Sequence, residues 1–155
     1  MTRNQLFLRP YRPADLPGIY AIEDQCFVGS FRFSRKELKG YIEAESAIAL
    51  IAETNEDLVG FAVADLQMDG EVTFGYLQTI DVLPVYRGKG IASAMLREVE
   101  DRIAEKDGRV LMLHVSVLNR PAIGLYDKHG YSLCGLHGGF YGKGGDAFVY
   151  SKTLR

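Results

Sequence analysis

The sequence has little cysteine, no excess of either charge and no long hydrophobic run. Cys26 and Cys134 lie far apart and outside any CxxC pair, which indicates reduced thiols in a cytosolic protein. Eighteen basic and 20 acidic residues give a net charge of -2. A chain this close to neutrality has no excess of positive charge with which to bind nucleic acid. No segment approaches the ~18 consecutive apolar residues of a membrane span, and residues 1–10 contain no apolar run of signal-peptide length. We expect a cytoplasmic protein without nucleic-acid or membrane partners.

The apolar content suits one folded domain. The chain has 155 residues, 47% of them apolar and 25% charged, as is ordinary for a globular protein. A domain of this length buries roughly 68–70% of the surface that its unfolded chain exposes, which is enough for a stable core without disulfides or structural metals. We therefore expect a single domain over residues 1–155, and we exclude disorder, collagen and coiled coil.

Hydrophobic periodicity predicts elements in the order β, α, α, β, β, β, α, β, α, β, β. Ser34 with Glu37 forms a capping box that opens the second helix. The apolar run 110–117 favours a strand buried on both faces. The predicted strands are residues 5–9, 47–53, 58–66, 72–82, 110–117, 131–136 and 147–153.

This order predicts an α/β mixed sheet. Adjacent strands in the first half favour antiparallel pairing, whereas the strand–helix–strand unit over residues 72–117 favours one parallel pair. We expect about seven strands in a mixed antiparallel and parallel sheet, with about four helices on its two faces.

One glycine loop lies between a strand and a helix. Residues 87–90 (Arg-Gly-Lys-Gly) follow Pro84 and open the third helix. N–H groups at a helix start favour an anion, and glycine lets phosphates approach the backbone. A P-loop is excluded because GxxxxGK[ST] is absent. A dinucleotide fingerprint is excluded because Ser93 replaces its third glycine and no acid ends the next strand. The loop is a candidate pyrophosphate site; a plain glycine turn is the alternative.

Two motifs resemble a known family. Arg87, Gly90 and Ala92 fill the acetyl-CoA-binding pattern Q/R-x-x-G-x-G/A, and residues 119–131 follow N-x-x-A-x-x-L-Y-x-x-x-G-F/Y. With both motifs at the usual separation, the chain resembles the GCN5-related N-acetyltransferases (GNAT superfamily) over essentially its whole length. The resemblance implies the fold of that superfamily and transfer of an acetyl group to an amine.

Within the superfamily, the chain is most similar to the ribosomal-protein-alanine and N-terminal-residue acetyltransferases. Residues 22–34 resemble their first helices, and residues 140–147 resemble their Y-Y-x-x-G-E-D-A loop. Three positions differ from the pattern. His114 and Gly145 stand where these relatives usually carry Glu, and Phe33 stands where several carry Trp.

The resemblance implies acetyl-CoA as co-substrate and no metal. Backbone groups at Ile80, Asp81 and Val82 would bind its acetyl and pantetheine part, with the Val82 N–H as oxyanion donor. Asn119 would contact the pantetheine arm; because it precedes Pro121, a helix cap is the alternative. The pyrophosphate would be held by N–H groups of a loop set by Arg87, namely those of Gly88, Lys89, Gly90, Ile91 and Ala92.

The resemblance also assigns the chemistry. Tyr126 would protonate the departing thiolate, although a core tyrosine is the alternative on an apolar helix face. His114, at the position of the family's acidic base, would accept the amine proton; a histidine packed in the sheet, with Asp81 as the base, is the alternative. Phe33 and Tyr141 would line the acceptor site, unless Tyr141 only anchors its glycine loop.

Three functions fit these residues. The first is an acetyl-CoA-dependent N-acetyltransferase for a protein or peptide amine, above all an N-terminal α-amino group. The second is an acetyltransferase for a small amine, and the third is a catalytically idle acyl-CoA-binding module. The Phe140-Tyr141 loop favours the peptide, because such a loop can line a slot for an extended chain, and Tyr126 argues against the idle module. We expect a monomer or weak homodimer.

Overall fold

The computed structural model of the protein describes residues 5–26 and 33–154. In these ranges the element order agrees with the prediction, and Phe27 lies outside them. Short 3₁₀ turns at Pro13–Asp15 and Pro84–Tyr86 precede α1 and α3. The elements are β1 (Leu6–Pro10), α1 (Leu16–Cys26), α2 (Arg35–Glu43), β2 (Ala47–Thr54), β3 (Asp57–Asp69), β4 (Val72–Val82), α3 (Ile91–Glu105), β5 (Val110–Ser116), α4 (Arg120–Lys128), β6 (Ser132–His137) and β7 (Ala147–Thr153).

The strands form one mixed sheet in the order β1-β2-β3-β4-β5-β7-β6. The pairs β1–β2, β2–β3, β3–β4, β5–β7 and β6–β7 are antiparallel. The pair β4–β5 is parallel, because α3 crosses between these strands and returns the chain in the same direction. The predicted mixed sheet, including its parallel pair, is therefore confirmed.

Two apolar layers cover the sheet. On one face α3 and α4 pack over a core that includes Leu77, Met95 and Leu113. On the other face α1 and α2 pack over Phe61 and Val63. The Ser34 hydroxyl accepts the Glu37 N–H at 3.1 Å and the Glu37 carboxylate accepts the Ser34 N–H at 3.0 Å, which is the predicted capping box.

The strand β5 differs from its prediction. Its residues alternate between buried and half-exposed, so burial on both faces was wrong. Val110, Met112 and His114 occupy the half-exposed face. The physical reason is that α1 packs on β3 and β4, and α2 on β2 and β3, so this face of β5 lies beyond the two helices.

The hairpin turns are tighter than predicted. Only Asn55 and Glu56, with φ of 51° and 66°, connect β2 to β3. β3 continues to Asp69, where its polar end pairs with the start of β4. Hydrogen bonds between β3 and β4 keep these exposed polar residues in the strand. Hydrophobic periodicity does not predict this extension, because the added residues are mostly polar. No helix in the described ranges is long and apolar enough to cross a membrane.

Candidate active site

The site begins where β4 and β5 separate. The two strands pair only from Gly75–Leu77 to Leu111–Leu113, although β4 continues to Val82 and β5 to Ser116. On its other side, β4 has one residue more than β3 at Gln78, between the pairs Ala64–Leu77 and Val63–Thr79. A bulge bends and twists a strand. In the part of the chain that the structure describes, residues 78–82 of β4 have no strand partner on the side of β5.

The glycine loop follows this open edge. Gly90 is the N-cap of α3 with φ of 82°, and Gly88 has φ of 77°. These left-handed conformations strain other L residues. The first N–H groups of α3 have no intrahelical acceptor, and no acidic residue occupies the first turn. The glycine loop therefore opens a helix start of the kind that favours anions, and pyrophosphate binding there stays a prediction.

Arg87 holds the loop to the strand end. Its Nε donates to the Val82 carbonyl at 3.0 Å, and the Cys26 thiol donates to the same oxygen at 3.3 Å. Arg87 Nη2 lies 3.3 Å from Cys26 Sγ. The guanidinium thus fixes the turn to the end of β4 and to α1. Lys89 Nζ lies 5.6 Å from the centre of the Tyr86 ring.

The second motif supplies α4. The Asn119 side chain accepts the Ala122 N–H at 3.2 Å. Asn119 therefore caps the helix, which is the predicted alternative to a contact with the pantetheine arm. Tyr126 is 5% exposed, and its ring meets that of Tyr131 edge-on at 5.6 Å. Burial raises the Tyr126 pKa, and charge on Tyr141, Asp81 and Tyr76 would raise it further. Tyr126 therefore keeps its proton at neutral pH.

His114 lies at the centre of a polar and aromatic cluster. Its Nδ1 is 2.6 Å from the Tyr76 hydroxyl, and its Nε2 is 3.1 Å from His137 Nδ1. Phe140 stacks on the imidazole, with centroids 3.9 Å apart, and the Tyr141 hydroxyl donates to the His114 carbonyl at 3.5 Å. Burial, and then His137, lower the His114 pKa, so the imidazole is neutral at pH 7.

The remaining predicted residues lie toward α1. The Asp81 side chain is 2% exposed and accepts the Thr79 hydroxyl at 2.6 Å. This burial separates the Asp81 carboxyl from solvent and disfavours its role as a base. Phe33 is half-buried, and its ring meets that of Tyr41 edge-on at 5.3 Å.

Sequence reasoning missed Tyr76 and His137. Tyr76 pairs with Met112 across β4 and β5, two residues from His114, so only the parallel register brings the two side chains together. His137 ends β6, which is separated from β5 by β7, and its ring reaches that of His114 across this strand. In the described ranges, no three His, Cys, Asp or Glu side chains are grouped as metal ligands.

Known proteins resemble this chain in sequence and in fold. The chain is 29% identical over 148 residues to a putative [ribosomal protein bS18]-alanine N-acetyltransferase of Bacillus subtilis, covering 95% of each chain. The structure of the ribosomal-protein-S18-alanine N-acetyltransferase from Escherichia coli has the same fold, with a TM-score of 0.85, 23% identity and coverage of 97% of this chain and 94% of the other.

A second solved structure is that of Arabidopsis thaliana Naa50 in complex with the bisubstrate analogue CoA-Ac-MVNAL. It has a TM-score of 0.81 and 26% identity, covering 95% of this chain and 97% of the other. Residues 16–131 match the acetyltransferase (GNAT) family, a range that contains the glycine loop, β5 and α4. The chain therefore belongs to the GNAT family of acetyltransferases.

Proposed function

We propose that this protein transfers the acetyl group of acetyl-CoA to the N-terminal α-amino group of a protein or peptide. The observation that carries the proposal is the Tyr76–His114 hydrogen bond of 2.6 Å, on strands that separate just beyond it. A proton acceptor then lies beside an open strand edge that suits the acetyl and pantetheine part. The Naa50 relative, which was solved with a CoA–peptide analogue, supports a peptide acceptor.

The cofactor side would be built mainly from backbone. Ile80, Asp81 and Val82 lie on the open edge of β4, where an extended pantetheine arm can pair as a strand would. The pyrophosphate would accept N–H groups of residues 88–92, which begin α3. Asn119 would offer its amide nitrogen to the arm, because its oxygen already caps α4.

The reaction needs one proton to leave and one to arrive. The neutral amine attacks the thioester carbonyl carbon, a C–N bond forms and the C–S bond breaks. The amine passes its proton to the Tyr76 hydroxyl as Tyr76 passes its own to His114 Nδ1. His114 Nε2 then donates to His137, which is exposed to solvent. Tyr126 gives its proton to the thiolate.

The relay suits an α-amine. An α-amino group has a reference pKa of ~7.7–8.0 and a Lys amine ~10.4, so at neutral pH a far larger fraction of the first is in the neutral form that attacks the thioester. The Val82 N–H would stabilise the charge that develops on the carbonyl oxygen. Phe33 and Tyr141 would line the two sides of the acceptor slot.

One assay separates the three functions. The protein is incubated with acetyl-CoA and a panel of peptide N-termini, lysine peptides and small amines, and free thiol and product mass are recorded. We expect acetylated peptide N-termini. Acetylation of small amines alone would support the second function. Cofactor binding with no product from any amine would support the idle module and contradict the proposal.

Two further expectations accompany the proposal. We infer a monomer or weak homodimer without nucleic-acid or membrane partners, supported by the net charge of -2 and tested by sedimentation at several concentrations. We infer a cytoplasmic location, supported by the bacterial relative, which a tagged chain in fractionated cells would test.

A further inference from the structure

Two buried carboxyl groups meet behind the strand end. Glu23 of α1 is 3% exposed and Asp81 of β4 is 2% exposed. Glu23 Oε2 accepts the Phe33 N–H at 3.2 Å, and Asp81 Oδ1 accepts the Thr79 hydroxyl at 2.6 Å. The other two oxygens, Glu23 Oε1 and Asp81 Oδ2, are also buried and meet no hydrogen-bond donor in the described ranges.

The two groups face each other. The Asp81 pKa is raised well above its ordinary value, first by burial and then by the hydrogen bond with the Glu23 carboxyl. Burying two ionised carboxylates side by side is strongly unfavourable. One proton placed between them supplies a donor that the two oxygens can share.

The surrounding charged groups leave this proton in place. From the glycine loop, the Arg87 guanidinium favours ionisation of Asp81, but it donates to the Val82 carbonyl and the Cys26 sulfur. From α1, the Cys26 thiol has its pKa raised by burial first and by Asp81 next. From α4, the Tyr126 hydroxyl has its pKa raised partly by Asp81.

We propose that Glu23 and Asp81 share one proton and act as a positioning pair, which holds the chain at Phe33 against the end of β4. The inference rests on the proposed function in so far as Phe33 lines the acceptor site. The chain of contacts runs from the Phe33 N–H through Glu23 and Asp81 to Thr79. It joins the acceptor segment to the strand that holds the acetyl group.

Carboxyl-carbon and amide NMR titrations test the shared proton without any need for activity. In the wild-type protein the Asp81 carboxyl should titrate far above the reference Asp pKa of ~3.9, and the Phe33 amide signal should move at the same pH. Glu23→Gln should remove this joint titration. The matched control, Asp24→Asn, changes the adjacent acidic residue of α1, 45% exposed, and should leave it unchanged. Ordinary titration of the Asp81 carboxyl in the wild type would overturn the proposal.

Kinetics test the positioning. Glu23→Ala removes both contacts and should raise the acceptor KM roughly 10- to 100-fold with little change in acetyl-CoA affinity. Glu23→Gln can remake both contacts, because its oxygen accepts the Phe33 N–H and its nitrogen donates to Asp81. Its acceptor KM at pH 7 should stay near the wild-type value. Above the pH at which the pair ionises, KM should rise in the wild type relative to Glu23→Gln.

The outcomes separate the two proposals. An unchanged acceptor KM in folded Glu23→Ala, or equal pH profiles in the wild type and Glu23→Gln, would overturn the positioning pair. If Glu23→Ala fails to fold, the comparison of the wild type with Glu23→Gln still tests the positioning, and the NMR titration still tests the shared proton. A wild-type protein that acetylates no amine but shows the joint titration would overturn the proposed function and leave the shared proton standing.

Discussion

The two sides of the candidate site are built differently. The proposed cofactor side consists of backbone: an open strand edge, glycines at positive φ and the first N–H groups of α3. The proposed acceptor side consists of side chains from distant segments, such as Tyr76, His114 and Tyr141. A backbone site depends on conformation at a few positions, whereas a side-chain site depends on each functional group. Single substitutions should therefore act differently on the two sides.

The largest effect is expected at Tyr126, between the two sides. Tyr126→Phe keeps the ring but removes the proton for the thiolate, so kcat should fall ~10²–10⁴-fold with acetyl-CoA affinity almost unchanged. Stopped-flow thiol release and calorimetric titration measure the two quantities. Tyr150→Phe, in the neighbouring ring at 6.3 Å, is the control and should keep kcat. Full activity in Tyr126→Phe would make Tyr126 a core residue only.

The next effect concerns His114 on the acceptor side. Because burial lowers the His114 pKa from its reference of ~6.5, kcat/KM should rise with pH through a His114 limb that lies on the acidic side of the reference value. His114→Ala should remove this limb and lower kcat/KM about 100-fold, the low end for a lost base, since an α-amine needs little help.

His129→Ala is the matched control for this limb. The His129 pKa is also lowered by burial, but its Nε2 contacts Ser93 Oγ at 2.9 Å, between α4 and α3. The His129→Ala variant should show the same rise of kcat/KM with pH as the wild type on the acidic side of the profile. The same pH profile in His114→Ala and the wild type would assign the proton to another acceptor.

A substitution at Gly90 tests the backbone side. In the described ranges, no heavy atom outside the adjoining chain lies within 4 Å of where its Cβ would be. Gly90→Val should therefore fill the space proposed for the pyrophosphate without a clash in the protein. Acetyl-CoA should bind roughly 10- to 100-fold more weakly as charged hydrogen bonds are lost, measured by calorimetry.

The control is Gly70→Val. Gly70, in the β3–β4 turn, also has a positive φ, of 64°, and an open Cβ position. Valine should strain the backbone at both sites by roughly 1–2 kcal/mol, so both variants should lose similar stability. Equal acetyl-CoA affinity in the two variants would contradict the phosphate-site interpretation.

The same difference explains what could be predicted from sequence. The glycine loop and the cap at Asn119 are local, so spacing along the chain reveals them. The Tyr76–His114–His137 cluster depends on the register of β4 with β5 and on β7 lying between β5 and β6. The Glu23–Asp81 pair depends on how α1 packs on the sheet. Periodicity gives the faces of elements but neither register nor packing.

The smallest effect is expected at Asn119, where capping and cofactor contact combine. Asn119→Ser keeps an oxygen for the Ala122 N–H but loses the amide nitrogen. Stability should change by only a few tenths of a kcal/mol, while acetyl-CoA affinity should fall severalfold, as for one neutral hydrogen bond. Asn119→Ala should lose both, with ~1 kcal/mol of stability from the cap. Thermal unfolding and calorimetry on both variants separate the roles. Unchanged acetyl-CoA affinity in Asn119→Ser would leave Asn119 as a helix cap alone, and the backbone would then carry the cofactor side without it.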